Sequence, residues 1–195
     1  MASSTNAPLS GLSVLVTRPR EQADDLCALI EAAGGRALRL PLLEIAAVGD
    51  PAAAEALLSR PDRWNWLIFT STNAVRFALE IHGGSYAPPP PARIAAIGRA
   101  TAEALAKAGI QVDLIPKPQF NSESLLASPE MADVSGQSIL IVRGEGGREH
   151  LAQTLKARGA EVAYAEVYRR ILPETDITYW IDLWRQGRID VVTIT

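Results

Sequence analysis

QSILIVRGEGGREHLAQTLKARGAEVAYAEVYRR, Gln137 to Arg170, reads as strand, glycine turn, amphipathic helix, turn and second long strand. Ile139 to Val142 is a short apolar run of the kind that forms a buried strand. It breaks at once into Arg143-Gly144-Glu145-Gly146-Gly147-Arg148. A strand that opens through glycines into a helix marks the place where α/β proteins bind ligands, outside the carboxyl ends of the strands.

The same unit occurs earlier. A shift of 125 positions places Gly11 on Gly136, Ser13 on Ser138, Leu15 on Leu140, Arg18 on Arg143, Leu26 on Leu151, Ala32 on Ala157 and Gly34 on Gly159, without a gap. The shift continues through Arg63 on Arg188, Asn65 on Asp190, Leu67 on Val192 and Thr70 on Thr195. Fixed-period similarity of this kind implies an internal duplication. The first copy runs on past Thr70 into Ser71-Thr72-Asn73 and about three more strand–helix units. The second stops at Thr195, so the chain is expected to be a piece, cut inside a strand, of a parent of about 260 residues.

Outward from these units, strand and helix alternate. Strands are expected at Leu12–Thr17, Trp66–Thr70, Arg93–Ile97, Val112–Ile115 and Ile189–Ile194. A long apolar strand over Ala37–Val48 is interrupted by Pro41, which places it at an edge or in a connector. Helices are expected over Glu21–Ala33, with Leu26, Leu29, Ile30 and Ala33 on one face, over Pro51–Leu58, after Ser71 to Leu79, after Gly98 to Ala108, after Asn121 or Ser122 as N-cap, and over Ile177–Arg185. Pro88–Pro91 reads as a stiff connection and the first ten residues as a loose tail. Alternation of this kind implies parallel sheets with right-handed crossovers.

Composition narrows the class. The 195 residues are 48% hydrophobic and 21% charged with net charge −3, an ordinary globular balance with no global pull toward nucleic acid or an anionic membrane. The N-terminus has neither the basic nor the apolar region of a secretory signal, and no apolar run approaches a membrane span, so a cytoplasmic protein is expected. The single cysteine, Cys27, excludes an internal disulfide and reads as a core thiol. His82 and His150 stand apart from acidic or cysteine neighbours, so no metal site is expected.

The glycine turn is not a dinucleotide fingerprint, because Glu149 stands where G-x-G-x-x-G needs its last glycine, and no P-loop lysine follows. Two readings stay open: a tight turn without a ligand, or a carboxylate or other anion held on the helix N-terminus with Arg143 and Arg148. Ser71-Thr72-Asn73 and Gly98 with Thr101 also sit where strands become helices, and capping alone explains much of their chemistry. Their number favours a site, since parallel sheets bring all such junctions to one edge. Tyr168 is either a packing residue or a phenol facing a cleft, able to donate a proton or a hydrogen bond. Trp64, Trp66, Trp180 and Trp184 read as core or interface anchors.

Val16-Thr17-Arg18-Pro19, Phe69-Thr70-Ser71-Thr72-Asn73-Ala74-Val75, Ala96-Ile97-Gly98 with Thr101, Asn121-Ser122-Glu123-Ser124-Leu125-Leu126 and Arg143 to Arg148 followed by Val167-Tyr168 together resemble the uroporphyrinogen-III synthase family, from about Leu12 to Thr195. The resemblance implies two flavodoxin/Rossmann-like α/β domains of parallel sheet joined by a two-stranded connector. Residues 1–38 with 168–195 would form one and 39–167 the other, with connectors near 37–48 and 161–170. It implies a lyase of tetrapyrrole biosynthesis that cyclises hydroxymethylbilane with loss of water and inversion of ring D, without metal or organic cofactor. It further implies a monomer acting on a small polycarboxylate, with no nucleic-acid or membrane partner. Carried over by position, Tyr168 assists departure of the hydroxyl. Thr17, Arg18, Ser71, Thr72, Asn73, Gly98, Thr101, Asn121, Ser122, Arg143, Gly144, Gly147 and Arg148 line the substrate cleft. The rival expectation is a non-catalytic two-domain module that binds a small anion or regulates.

Overall fold

The computed structural model describes residues 7–86 and 92–194. The Pro88–Pro91 run and Thr195 lie outside the described residues. In chain order the elements are β1 (Ser13–Val16), α1 (Asp24–Ala32), β2 (Arg36–Arg39), β3 (Glu44–Ala47), α2 (Ala52–Leu58), β4 (Trp66–Phe69), α3 (Thr72–Ile81), β5 (Arg93–Ala96), α4 (Arg99–Lys107), α5 (Ser122–Leu126), α6 (Pro129–Ala132), β6 (Ser138–Gly144), α7 (His150–Ala157), β7 (Glu161–Ile171), α8 (Thr178–Arg185) and β8 (Val191–Thr193). Two sheets result, ordered β2-β1-β8 and β3-β7-β6-β4-β5. The pairs of β1 with β2 and β8, of β4 with β5 and β6, and of β6 with β7 are all parallel.

Several boundaries differ from expectation for physical reasons. Pro41 cannot donate to a ladder, and the expected single strand over Ala37–Val48 is the two strands β2 and β3 on either side of it. Val112–Ile115 forms only one bridge, Leu114 to Ala95, before Pro116. Residues 7–11 are not a loose tail. They turn tightly, Leu9 donates its N–H to Ala33 O (2.9 Å), and its side chain packs on the core. The buried face of α1 and its entry turn is Ala23, Leu26, Cys27 and Ile30, spaced i, i+3, i+4, i+7, whereas Leu29 is 68% exposed.

The chain divides into two compact units, Met1–Ile45 with Arg170–Thr195, and Ala46–Arg169. In the first, Val14 and Val16 pack on α1 through Cys27 and Ile30, while Leu15, Leu38 and Leu40 on the opposite face meet Trp180, Ile189 and Val192. In the second, strand alternation splits the core in the same way. Trp66, Ile68, Ala95, Ile139 and Ile141 face Leu125, Met131, Leu151 and Leu155 from α5, α6 and α7. Leu67, Phe69, Leu140 and Val142 point to the other face and are fully buried or nearly so.

The 125-residue shift survives as hydrogen-bonded register. Ser13 pairs with Arg36 and Ser138 with Glu161; Val14 pairs with Val191 and Ile139 with Trp66. The backbone N–H of Ser13 donates to Asp190 Oδ2 (2.7 Å) and that of Ser138 to Asn65 Oδ1 (2.8 Å). Gly34 and Gly159 end the equivalent helices at φ 82° and 87°, in the left-handed region that glycine enters without penalty.

Candidate functional site

Parallel pairing of β6, β4 and β5 brings their carboxyl ends side by side at one edge of the larger sheet. The structure therefore gathers Gly144, Ser71 and Gly98, with the residues that follow each, along that edge. Ser71 is the N-cap of α3: its backbone is extended and its Oγ accepts the Ala74 N–H (3.1 Å). Thr72 is exposed and Asn73 half-buried in the same first turn. Gly98 is the N-cap of α4, and Thr101 in its first turn is buried. Asn121, not Ser122, caps α5, its Oδ1 accepting the Ser124 N–H at 2.8 Å.

Tyr168 joins this edge from β7. The residue is 2% exposed, its ring stacks on Phe77 of α3 (centroids 5.8 Å apart), and its hydroxyl lies 3.2 Å from Ser71 Oγ. It stands opposite Gly144, the last residue of β6, after a register shift: Arg143 pairs with Glu166, but Gly144 pairs with Tyr168, so β7 carries one extra residue, Val167. A Cβ added at Gly144 would lie 2.5 Å from two ring carbons of Tyr168.

Arg143 does not face outward as an anion ligand. It shares the α7 face with Ile139 and Ile141 and is 7% exposed. Its guanidinium pairs with Glu149 (2.8 Å) and Glu166 (2.9 Å), lies over the Tyr164 ring (3.6 Å) and donates to Gly147 O (3.2 Å). Burial presses its pKa down, but the hydrogen bonds to Glu149 and Glu166 outweigh this and hold it above the ordinary value. Tyr164 donates to Glu149, and this bond first, then Arg143, keeps the Glu149 carboxyl below the usual carboxylate range. Burial, then the bond to Glu149, pushes the Tyr164 phenol up to about 12. The expected anion clamp is thus an internal lock that fixes the Gly144–Arg148 turn, of which Gly147 is half-buried and Arg148 exposed. Glu149, Tyr164, Glu166 and Phe77 belong to no motif of the sequence; the alternation of Arg143 with Ile139 and Ile141 is the signal that points to the first three.

In the smaller unit, Thr17 Oγ1 donates to Thr193 O (2.6 Å), tying β1 to β8. Arg18 is half-buried and lines a cavity of about 400 Å3 with Arg20, Asp24 and Arg39. Trp64 and Trp66 are 1% exposed core residues, whereas Trp184 is 59% exposed. Among the described residues no helix is long and apolar enough to cross a membrane.

A family model described as uroporphyrinogen-III synthase HemD matches residues 24–195. The chain is 34% identical to the uroporphyrinogen-III synthase of Escherichia coli K12 over 186 residues, covering 94% of this chain and 75% of that one. It is 36% identical to the enzyme of Salmonella typhimurium LT2 over 190 residues, again covering 94% of this chain and 75% of the other. A solved structure of a mutant uroporphyrinogen III synthase from the extreme thermophile Thermus thermophilus superposes with a TM-score of 0.69 over 93% of this chain and 71% of that chain, at 21% identity.

Proposed function

The chain belongs to the uroporphyrinogen-III synthase family, and from that membership we propose that it cyclises hydroxymethylbilane to uroporphyrinogen III at the carboxyl edge of the larger sheet. The observation that carries the placement is the buried Tyr168 hydroxyl beside Ser71 at the start of α3. In this reaction the hydroxymethyl C–O bond breaks and the oxygen leaves as water after taking one proton. The substituted carbon of the terminal pyrrole attacks the azafulvene cation, and the spiro intermediate fragments and recloses with ring D inverted. A proton leaves the final ring carbon, so the net change is loss of one water. Tyr168 is suited to give the first proton and recover the last. The remaining work is positioning: a flexible chain must be held so that the substituted carbon, not the free one, reaches the cation.

Carboxylate side chains of the substrate are then held by the helix starts at Ser71-Thr72-Asn73, Gly98 with Thr101 and Asn121-Ser122, by the backbone of Gly144 and Gly147 and by Arg148. Arg143 takes part indirectly, by fixing the turn. The reading also includes two flavodoxin/Rossmann-like domains, with the chain passing from one to the other and back. It is supported by the two unit boundaries, which fall inside β3 and β7, neighbours in the sheet order. We take the enzyme to be cytoplasmic and monomeric, with no nucleic-acid or membrane partner. The test is product analysis: supplied with hydroxymethylbilane, the protein is expected to give the type III isomer in excess of spontaneous type I. Type I alone would sink the enzymatic reading and leave a small-anion-binding module.

A further inference from the structure

We propose that Ser71 and Gly144 are positioning residues for Tyr168, acting with the β7 bulge to fix where the phenol oxygen sits; this rests on the role given to Tyr168 above. Along β7, Val162, Tyr164 and Glu166 share the α7 face: Val162 and Tyr164 pack on the core there, and Glu166 pairs with Arg143. Unbroken alternation would send Tyr168 to that face too. The extra residue Val167 turns it to the opposite face, where Phe77 stacks on its ring. On that face the neighbouring position of β6 is glycine, and the ring occupies the space a Cβ would fill: 2.5 Å to Cε2 and Cζ, 3.0 Å to the hydroxyl. Ser71 Oγ is itself held by the Ala74 N–H, so it offers the phenol a fixed partner at 3.2 Å. Three features, a bulge, a missing side chain and a capped serine, converge on one oxygen atom. Core packing alone would not need the serine hydroxyl.

The test is a set of variants assayed for type III formation from hydroxymethylbilane, with thermal unfolding as the folding control. Ser71→Gly removes the hydroxyl but leaves a residue nearly as good at the N-cap. It is expected to lower kcat about 10-fold, a larger change than any in KM, as a displaced catalytic group does. Ser71→Thr restores the hydroxyl and should recover kcat to within about threefold of the parent. Gly144→Ala pushes the ring away and should lower kcat about 10-fold as well. In a Tyr168→Phe background neither change should lower kcat further by more than about twofold, because the group they position is gone. Full kcat in Ser71→Gly beside a large loss in Tyr168→Phe overturns the positioning role alone. So do losses that multiply in the double variants. Unchanged kcat in Tyr168→Phe overturns the role of the tyrosine itself, and the positioning proposal with it.

Discussion

Replacing Arg143 by Met removes a guanidinium that binds two carboxylates, the Tyr164 ring and a loop carbonyl while keeping most of the side-chain volume. The loss lies between two limits. Breaking a fully buried pair costs about 3–5 kcal/mol because the stranded charge stays buried. Breaking an exposed pair costs about 0–1 kcal/mol. Here the arginine side chain is 9% exposed, but Glu149 and Glu166 are 51% and 37% exposed and rehydrate when the cation goes. The cation over Tyr164 adds about 0.5–1 kcal/mol. About 2 kcal/mol is expected, which for a chain of this size lowers Tm by about 4–8 °C. Urea unfolding should show a lower midpoint at unchanged m, since the surface exposed on unfolding hardly changes. Hydrogen exchange should quicken locally at residues 145–149, whose turn the guanidinium ties down through Gly147 O. Arg143→Lys should recover only part of the loss, because an ammonium cannot reproduce the fork that serves both carboxylates. A midpoint shift worth less than about 0.5 kcal/mol, the size of a surface substitution, with exchange unaltered in the turn, would refute the lock.

Gly34→Ala and Gly159→Ala should each destabilise by about 1–2 kcal/mol, because both place a Cβ at positive φ, 2.5 Å from Ala7 Cβ and 2.9 Å from Ser135 Oγ respectively; parallel thermal melts of the two variants check the duplicated turn. Burial pushes the Tyr86 phenol to about 12, and its hydroxyl donates to Leu58 O at 3.1 Å. Its protonated form is favoured in the folded state, so its stabilisation is complete below the ordinary value of 10 and is lost as pH rises from there to about 12. Tyr86→Phe should flatten the alkaline limb of a stability–pH curve. Glu149 has the opposite sign: its lowered pKa stabilises above the ordinary carboxylate range and is lost as pH falls through the lowered native value. Glu149→Gln should make the acid limb shallower in urea titrations between about pH 2 and 6, a range bracketing that of ordinary carboxylates.

The repeat was legible because the features it depends on are written in single residues: serine at each strand start, glycine at each helix end, and an amide or carboxylate to receive the serine N–H. Each is required by backbone geometry, so it survives where the core residues have changed from Val14 to Ile139. The strand–helix junctions were legible for the same reason, since each needs its cap whether or not it binds anything. The strand-end position of Arg143 suggests an outward-facing ligand, but its parity decides its direction. Ile139, Ile141 and Arg143 alternate onto one face, and that face belongs to α7. Tyr168 is the harder case, because parity itself gives the wrong answer there. Counting from Tyr164 and Glu166 places it beneath α7, and only the extra residue at Val167 turns it toward Ser71. Nothing in Ala165-Glu166-Val167-Tyr168 announces a bulge. It is set by the partner strand, whose last residue, Gly144, leaves room for the ring only on the opposite face. The tyrosine's identity could be read from its own strand, but its direction is a property of the pair.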